Sequence, residues 1–206
     1  MIAPTSLFLL RHAEVEASYQ KIFGGRIDMN LSPCGHEQAV TLAKYLQPKS
    51  FDAIYASPMK RVQQTLAPLL AQRESKPVVM PGLREVDFGD WTGLGWEQVK
   101  SRFKINAFQW LEQLDRAAIP NAESGKTFRA RVEPCVQQIL CDHPGQTVAI
   151  VCHGGTIRMI LSILLEMPFA KMGCFEIEYA SLTEVHHAPH KTEVQLLNFT
   201  PWRDVP

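Results

Sequence analysis

The strongest constraint on the fold is the run Thr147–Cys152, the most apolar stretch of the chain, which precedes Gly154-Gly155 and a helical pattern through Leu165. A short apolar run that meets a glycine pair predicts a strand buried on both faces. Two more apolar runs, Ser6–Leu10 and Phe51–Ala56, also alternate with helical patterns. Since parallel strands need crossover connections, this alternation predicts an α/β fold with a mainly parallel central sheet and helices on both faces.

The segments between these strands complete the predicted architecture. Ser57 followed by Pro58 is typical of a helix start, with Ser57 as the N-cap, and predicts a helix to about Gln72. The segment from about Trp91 to Val136 has helical patterns and no strand, so we predict a helical cap over the carboxyl ends of the strands. The chain has no repeat or linker, which indicates one domain over residues 1–206. The other predicted elements are a helix over Gly35–Leu46, a short strand over Pro77–Met80, and a hairpin over Phe175–His187 and Thr192–Phe199.

The charge balance argues against a nucleic-acid or membrane partner. Lys plus Arg and Asp plus Glu each number 21, so the formal net charge is zero and an anion site has to be built from a few local cations. No stretch approaches the ~20 apolar residues of a membrane span. The five cysteines contain no CxxC pair, which favours reduced thiols over disulfides or a zinc site. These features predict a cytoplasmic protein.

Side chains that can bind an anion or take part in catalysis follow the predicted strands. Arg11 and His12 come directly after the first strand, and His153 follows the run that ends at Cys152. Arg61 falls in the first turn of the helix after the second strand, and Glu85 follows the third strand. Because sites in open α/β sheets form at the carboxyl ends of the strands, we expect these five side chains to meet in one crevice.

This set of side chains suits the transfer of a phosphoryl group. Arg11 and Arg61 offer planar forks for the phosphate oxygens, and His153, protonated when phosphate is bound, adds a donor. His12, held as a neutral imidazole, is the predicted nucleophile that forms a phosphohistidine. Glu85 is the predicted general acid, and we expect it to be buried or close to the phosphate. We predict no metal and no cofactor, and a small phosphorylated metabolite as the partner.

Four segments of the chain resemble the signature motifs of one family, and they occur in that family's order. They are similar to the RHG, SPLxRAxQT, LxExxxGxWEG and SHGG patterns of the histidine phosphatase superfamily, the phosphoglycerate mutase-like proteins. The resemblance implies His12 as nucleophile, Glu85 as proton donor, and Arg11, Arg61 and His153 as the phosphate pocket. The four segments are Leu10–Glu14, Ser57–Thr65, Leu83–Trp91 and Val151–Gly155.

The resemblance also implies accessory contacts to the substrate. Gly154 lies in the last motif, and Ser18 stands where family members commonly have a phosphate-contacting asparagine. Glu123 begins a segment similar to the family's GES…F…RV pattern, and it is predicted either as a substrate contact or as a residue near a helix start. Ala13 replaces the usual glycine of the first motif, and Val15 replaces a common threonine.

The substrate depends on the cap. The segment between Gly93 and Glu123 is short for a mutase. The compact chain, the Phe88–Trp91 segment and the run from Trp110 to Pro120 resemble the α-ribazole phosphatases, which predicts hydrolysis of α-ribazole 5′-phosphate. A broad-specificity sugar or alkyl phosphatase is the main alternative, and a phosphoglycerate mutase is a further one. An apolar edge strand near the C-terminus is compatible with a homodimer. Five cap aromatics are predicted to pack the cap, with one or two lining the leaving-group pocket: Trp91, Trp96, Phe103, Phe108 and Trp110.

Two further alternatives stay open. Cys152 and Arg158 satisfy the Cys-x5-Arg pattern of phosphatases that use a cysteine thiolate as nucleophile. That mechanism leaves Arg11, His12 and Glu85 without a role, so we favour the histidine route. The other alternative is a scaffold that binds phosphate without turning it over.

Overall fold

A mixed six-stranded sheet forms the centre of the described part of the chain, which covers residues 3–71, 73–74, 76–106 and 109–205 of a computed structural model. The strand order is β3-β2-β4-β1-β5-β6; the first four of these strands are parallel, and β5 is antiparallel to both of its neighbours. The predicted, mostly parallel α/β sheet is therefore confirmed. The strands are β1 (Thr5–Arg11), β2 (Ala53–Ala56), β3 (Val78–Val79), β4 (Thr147–Cys152), β5 (Leu182–Ala188) and β6 (Lys191–Phe199).

Helices cover both faces of the sheet, as the alternating pattern predicts. Successive β1 residues point to opposite faces: Leu7 packs in one core with α5 and α6, and Phe8 in a second core with α1 and α2. None of the described helices is both long and apolar enough to cross a bilayer. The helices are α1 (Pro33–Leu46), α2 (Lys60–Leu70), α3 (Trp96–Phe103), α4 (Trp110–Asp115), α5 (Gly125–Asp142), α6 (Gly154–Leu164) and α7 (Pro201–Asp204).

The predicted start of α2 is wrong. The helix begins at Lys60 with Met59 as its N-cap, and the backbone N–H groups of Val62 and Gln63 donate to the Met59 carbonyl. Ser57 does not cap the helix because the helix begins three residues later, and its hydroxyl contacts His153 and the N–H of Met59. The predicted end of the helix at Gln72 lies outside the described residues.

The closing hairpin is shorter than predicted. Its first strand begins at Leu182, whereas residues 175–181 form a loop next to the sheet. Carbonyl groups of this loop accept hydrogen bonds from Arg11 and Arg158, so the loop cannot also pair as a strand.

We use the name cap for part of the predicted segment 91–136. The cap consists of a short 3-10 helix over Gly89–Trp91 together with α3 and α4. Helix α5 shares a core with these helices, but it also packs directly against α6, the helix that follows β4. We therefore assign α5 to the layer that covers the sheet.

Candidate active site

The register of β1 against β4 brings the two predicted histidines together. Arg11 pairs with Cys152, so His12 and His153 are the next residues on two neighbouring parallel strands. Their ring centroids lie 5.2 Å apart, and both side chains are buried. The strand ends therefore place two imidazoles in contact at one edge of the sheet, where the sequence predicts them.

The hydrogen bonds of His12 fix its tautomer. Nδ1 lies 2.8 Å from the Ala13 carbonyl oxygen, which can only accept, so Nδ1 carries the proton. Nε2 then has a lone pair, which accepts a hydrogen bond from Arg61 Nε at 3.2 Å. Burial, followed by the positive charges of Arg61 and Arg11, holds the pKa of His12 well below its ordinary value. The ring is therefore a neutral imidazole with a nucleophilic nitrogen.

Arg61 is held rigidly beside His12 by backbone carbonyl groups. Its Nη1 donates to Ile27 O at 2.7 Å and its Nη2 to Gly25 O at 3.2 Å. Burial, the largest cause, lowers the pKa of Arg61, but a guanidinium stays protonated in proteins. Thr65 ties this turn of α2 to the site, since its hydroxyl donates to Arg61 O and accepts from the N–H of Ala13.

The loop over residues 175–181 orients two more arginines. Arg11 Nη1 donates to Ile177 O at 2.6 Å, and its guanidinium carbon lies 4.0 Å from the centre of the Tyr179 ring. Arg158 Nε donates to Phe175 O at 2.8 Å. The buried Nε of Arg11 has no hydrogen-bond partner among the described residues. This donor remains available to a bound oxyanion.

The three arginines make the site locally cationic. Arg11, Arg61 and Arg158 line a cavity of about 300 Å³ together with a single carboxylate, that of Glu85. Within the described ranges, no ion pair involves any of these arginines. A protein with zero net charge thus concentrates an excess of positive charge where a phosphate dianion would lie.

His153 lies behind His12 and is fully buried. Its Nε2 is 2.8 Å from the Ser57 hydroxyl, and its Nδ1 has no partner among the described residues. Burial and then the charge of Arg61 hold the pKa of His153 well below its ordinary value. The imidazole is therefore neutral in the ligand-free site, and its predicted protonation requires the negative charge of a bound phosphate.

Both buried histidines predict a loss of stability in acid. The unfolded chain takes up protons at these residues below about pH 6.5, while the folded chain resists doing so until the pH reaches its lower pKa values. The free energy of unfolding should therefore fall as the pH drops below about 6.5, by up to about 1.4 kcal/mol per pH unit for each histidine. Urea unfolding at several pH values measures this slope. The slope should become shallower in His153→Asn and remain unchanged in the exposed control His190→Asn; equal slopes in all three proteins would contradict the assignment.

Glu85 reaches the same cavity through the N-terminus of α6. Its Oε2 accepts the backbone N–H of Gly155 at 3.1 Å, and its Oε1 accepts the N–H of Val86 at 3.0 Å. A Cβ atom at Gly155 would lie 2.6 Å from Oε1, so a side chain there would displace the carboxylate. The carboxylate is partly buried and lines the cavity, as the sequence predicts.

Aromatic side chains line part of the cavity. Phe23 contacts Phe88 and Trp96 with ring centroids 4.8 and 5.1 Å apart, and Phe88 contacts Trp110 at 5.6 Å. We call these four residues the aromatic wall. Trp96 and Trp110 come from the cap and line the cavity, and their predicted contact with a leaving group stays a prediction. Phe108 lies outside the described residues.

Of the other predicted substrate-binding residues, Gly154 lines the cavity, His153 lies against His12 outside the cavity lining, and Ser18 and Glu123 do not reach the cavity. Ser18 is exposed within a short 3-10 helix. Glu123 is engaged by Arg131 and by the backbone N–H of Asp87. Neither predicted substrate contact therefore has structural support.

Sequence reasoning missed Tyr179 and did not assign Arg158 to the cavity. Arg158 lies four residues after Gly154, on the same face of a helix, and that spacing could have indicated it. Tyr179 reaches the site only because β5 pairs with β1, so no local signal identifies it.

The site disfavours Cys152 as the nucleophile. Its side chain is fully buried in β4 and is not among the residues that line the cavity. Burial, the largest cause, strongly raises the pKa of this thiol, whereas a nucleophilic cysteine needs a lowered pKa.

Taken together, a neutral buried imidazole and a cation-rich cavity define an enzyme that handles phosphate esters. Among the described residues, no group of three or more His, Cys, Asp or Glu side chains is arranged to hold a metal ion. The chain belongs to the histidine phosphatase superfamily (branch 1), whose family model matches residues 7–200. The protein is therefore a phosphatase that acts on a small phosphorylated molecule, which confirms the resemblance and the activity predicted from the sequence.

Named relatives cover almost the whole chain. Phosphoserine phosphatase 1 of Hydrogenobacter thermophilus is 28% identical and covers 94% of this chain and 92% of its own. The adenosylcobalamin/alpha-ribazole phosphatase of Escherichia coli is 28% identical and covers 84% of this chain and 85% of its own. The crystal structure of the alpha-ribazole phosphatase from Shigella flexneri superposes with a TM-score of 0.83 at 26% identity and covers 95% and 96% of the two chains.

Proposed function

We propose that His12 Nε2 attacks the phosphorus of a phosphate monoester and carries the phosphoryl group as phosphohistidine. The observation that carries this proposal is the hydrogen bond between His12 Nδ1 and Ala13 O, which leaves Nε2 unprotonated beside Arg61. Arg11 and Arg61 bind the equatorial oxygens of the phosphate, and the dianion favours protonation of His153. The backbone of Gly154, at the start of α6, adds the positive end of a helix dipole.

The proton balance of the reaction assigns two roles to Glu85. In the first step the bond from Nε2 to phosphorus forms while the ester bond breaks, and protonated Glu85 gives its proton to the leaving oxygen. In the second step the Glu85 carboxylate takes a proton from the attacking water as the phosphorus–nitrogen bond breaks. The electron pair returns to His12 Nε2, and Nδ1 keeps its proton throughout. No metal ion or cofactor takes part in either step.

The aromatic wall supports α-ribazole 5′-phosphate as the substrate. A planar heterocyclic leaving group gains offset or edge contacts with aromatic rings, worth about 0.5–1.5 kcal/mol for each pair beyond simple burial. Trp96 and Trp110 line the cavity from the cap, and we propose that the leaving group lies against them. The names of two of the relatives point to the same substrate.

Phosphoserine is the second candidate, and Arg158 is the observation that favours it. This third arginine flanks Gly154 next to Arg11 and could pair with a substrate carboxylate. The Hydrogenobacter relative is named for this activity. A broad-specificity phosphatase would use the aromatic wall without selecting one leaving group. A phosphoglycerate mutase is less favoured, because the described cap contributes only α3 and α4 and offers little extra basic surface around the cavity.

A substrate screen in the presence of EDTA tests this proposal. We expect kcat/KM for α-ribazole 5′-phosphate to exceed that for phosphoserine, 3-phosphoglycerate and glucose 6-phosphate by at least about tenfold. Trp110→Ala should lower the first value about tenfold and the others little, since only the heterocycle contacts the indole. A preference for phosphoserine would favour the second candidate, and isomerisation of 3-phosphoglycerate would indicate a mutase. Loss of all turnover in EDTA would contradict a metal-independent reaction.

A cytoplasmic location and a homodimer are the remaining parts of the proposal. β6 is the outer strand on one side of the sheet and exposes Val194 and Leu197, which a second copy could cover. Light scattering on the purified protein would measure its mass in solution.

A further inference from the structure

We propose that Arg131 and Glu123 form a clamp that positions Glu85 for its role as general acid. Arg131 lies in α5 and Glu123 lies just before that helix. Both residues bind the backbone of the loop Gly82–Asp87, which we call the acid loop. The inference rests on the proposed function, because it needs Glu85 to be the acid. It assigns to Glu123 a different role from the substrate contact that the sequence predicts.

Arg131 uses every N–H of its guanidinium within this clamp. Nη1 donates to Gly82 O and to Arg84 O, both at 2.8 Å, and Nη2 donates to Glu85 O at 3.0 Å. Nε and Nη2 donate to the two carboxylate oxygens of Glu123 at 2.9 and 2.5 Å. Three of the five N–H groups of this planar fork thus hold the acid loop at Gly82, Arg84 and Glu85, and the other two hold Glu123.

Glu123 holds the other end of the acid loop. Its Oε1 accepts the backbone N–H of Asp87 at 2.8 Å while it pairs with Arg131. The backbone is therefore held at Gly82, Arg84 and Glu85 by the arginine and at Asp87 by the carboxylate. The Glu85 side chain projects from between these attachments toward the N–H of Gly155.

Close packing against α5 makes the clamp rigid. A Cβ atom at Gly82 would lie 2.5 Å from Arg131 O, so the acid loop approaches the helix as closely as glycine permits. The side chains of Glu123 and Arg131 are only 10% and 25% exposed, and the guanidinium carbon lies 4.7 Å from the centre of the Phe128 ring. Charged groups with this little exposure interact more strongly than surface ion pairs.

The clamp residues contact the acid loop through its backbone, and the charge of Arg131 also contributes to the lowered pKa of His153. Neither Arg131 nor Glu123 lines the cavity that holds His12. They are therefore positioning residues, and their removal should affect the step that needs an acid more than the binding of phosphate. Misplacing a catalytic group by about 1 Å can cost on the order of 10²-fold in rate.

Leaving-group dependence separates this role from a general loss of structure. An alkoxide is a poor leaving group and needs a proton, whereas p-nitrophenolate leaves as a stable anion. The ratio kcat/KM covers the steps up to transfer of the phosphoryl group to His12, so hydrolysis of the intermediate does not affect it. Glu85→Gln should therefore lower kcat/KM by about 10²–10⁴-fold for glycerol 2-phosphate and by less than about tenfold for p-nitrophenyl phosphate.

The clamp variants should reproduce this selectivity in weaker form. For Arg131→Met we expect a loss of at least about tenfold with glycerol 2-phosphate and less than about threefold with p-nitrophenyl phosphate, with an unchanged inhibition constant for inorganic phosphate. Glu123→Gln keeps the shape of the side chain and should show the same selectivity, which provides a test if Arg131→Met is insoluble. The matched control is Arg129→Met, which removes an ion pair to Glu133 on the more exposed part of α5 and should leave both substrates unaffected.

The outcomes distinguish the clamp from the acid it positions. If Glu85→Gln discriminates between the substrates but the clamp variants lower both values equally or weaken phosphate inhibition, the clamp is refuted and the proposed mechanism stands. If Glu85→Gln itself shows no discrimination, the acid role of Glu85 is refuted, and the clamp proposal fails with it.

Discussion

His12→Ala should lower kcat by at least about 10⁴-fold, because it removes the nucleophile that we propose forms the covalent intermediate. The cavity, the arginines and His153 remain in this variant, so it should still bind inorganic phosphate. Steady-state turnover of p-nitrophenyl phosphate measures the loss. Rapid quenching of the wild-type reaction with radiolabelled substrate should trap an acid-labile phosphoenzyme that His12→Ala lacks.

Cys152→Ser is the matched control for this result. The thiol is fully buried, its pKa is raised, and it is not among the residues that line the cavity. Its replacement by a smaller hydroxyl should therefore leave kcat within about threefold of wild type. Loss of activity in Cys152→Ser with activity retained in His12→Ala would assign the mechanism to the thiolate. Intact phosphate binding without turnover in the wild-type protein would indicate a scaffold.

Arg61→Lys should lower kcat/KM by about 10²–10³-fold despite the retained charge. The guanidinium donates simultaneously to Gly25 O, Ile27 O and His12 Nε2, in a planar arrangement that an ammonium group cannot reproduce. The lysine would leave buried carbonyl groups without donors and would not present a fork to the phosphate oxygens. The inhibition constant for inorganic phosphate should rise together with the loss of kcat/KM.

Arg73→Lys is the control for Arg61→Lys. Arg73 also donates to two backbone carbonyls, those of Leu46 and Lys49, but it lies beyond the C-terminal end of α2, away from the cavity. The kcat/KM of Arg73→Lys should match that of the wild-type protein. If Arg61→Lys also retains wild-type kcat/KM, the phosphate does not depend on the fork of Arg61 and the proposed phosphate pocket is wrong.

The sequence could predict that the site residues lie close together, because most of them directly follow the ends of neighbouring strands. Arg11 and His12 leave β1, His153 leaves the neighbouring β4, and the first turn of α2 carries Arg61. Parallel pairing alone brings such residues to one edge, so the sequence order is sufficient to predict their proximity. The roles of these residues remain predictions that the kinetic experiments address.

The features of the site that the sequence could not predict depend on contacts between segments far apart in the chain. Tyr179 reaches Arg11 from a loop whose position is set by antiparallel pairing of β5 with β1, which leaves no periodic signal. Glu123 has the same sequence pattern whether it faces a substrate or the backbone of Asp87, and only the fold distinguishes the two. Ser57 matches a helix N-cap, but the neighbouring strand presents His153 as a competing partner.

The cap supplies only part of the cavity lining and is separate from the residues proposed for the chemistry, so the enzyme is modular. The residues proposed for the chemistry come from the sheet ends and the helices that follow them, whereas Trp96 and Trp110 come from the cap, between Gly89 and the start of α5. Exchange of the cap can therefore retarget the enzyme to a new ester without altering the nucleophile or its arginines. Related enzymes that act on different substrates should therefore differ mainly in this short segment, while the residues proposed for the chemistry stay the same.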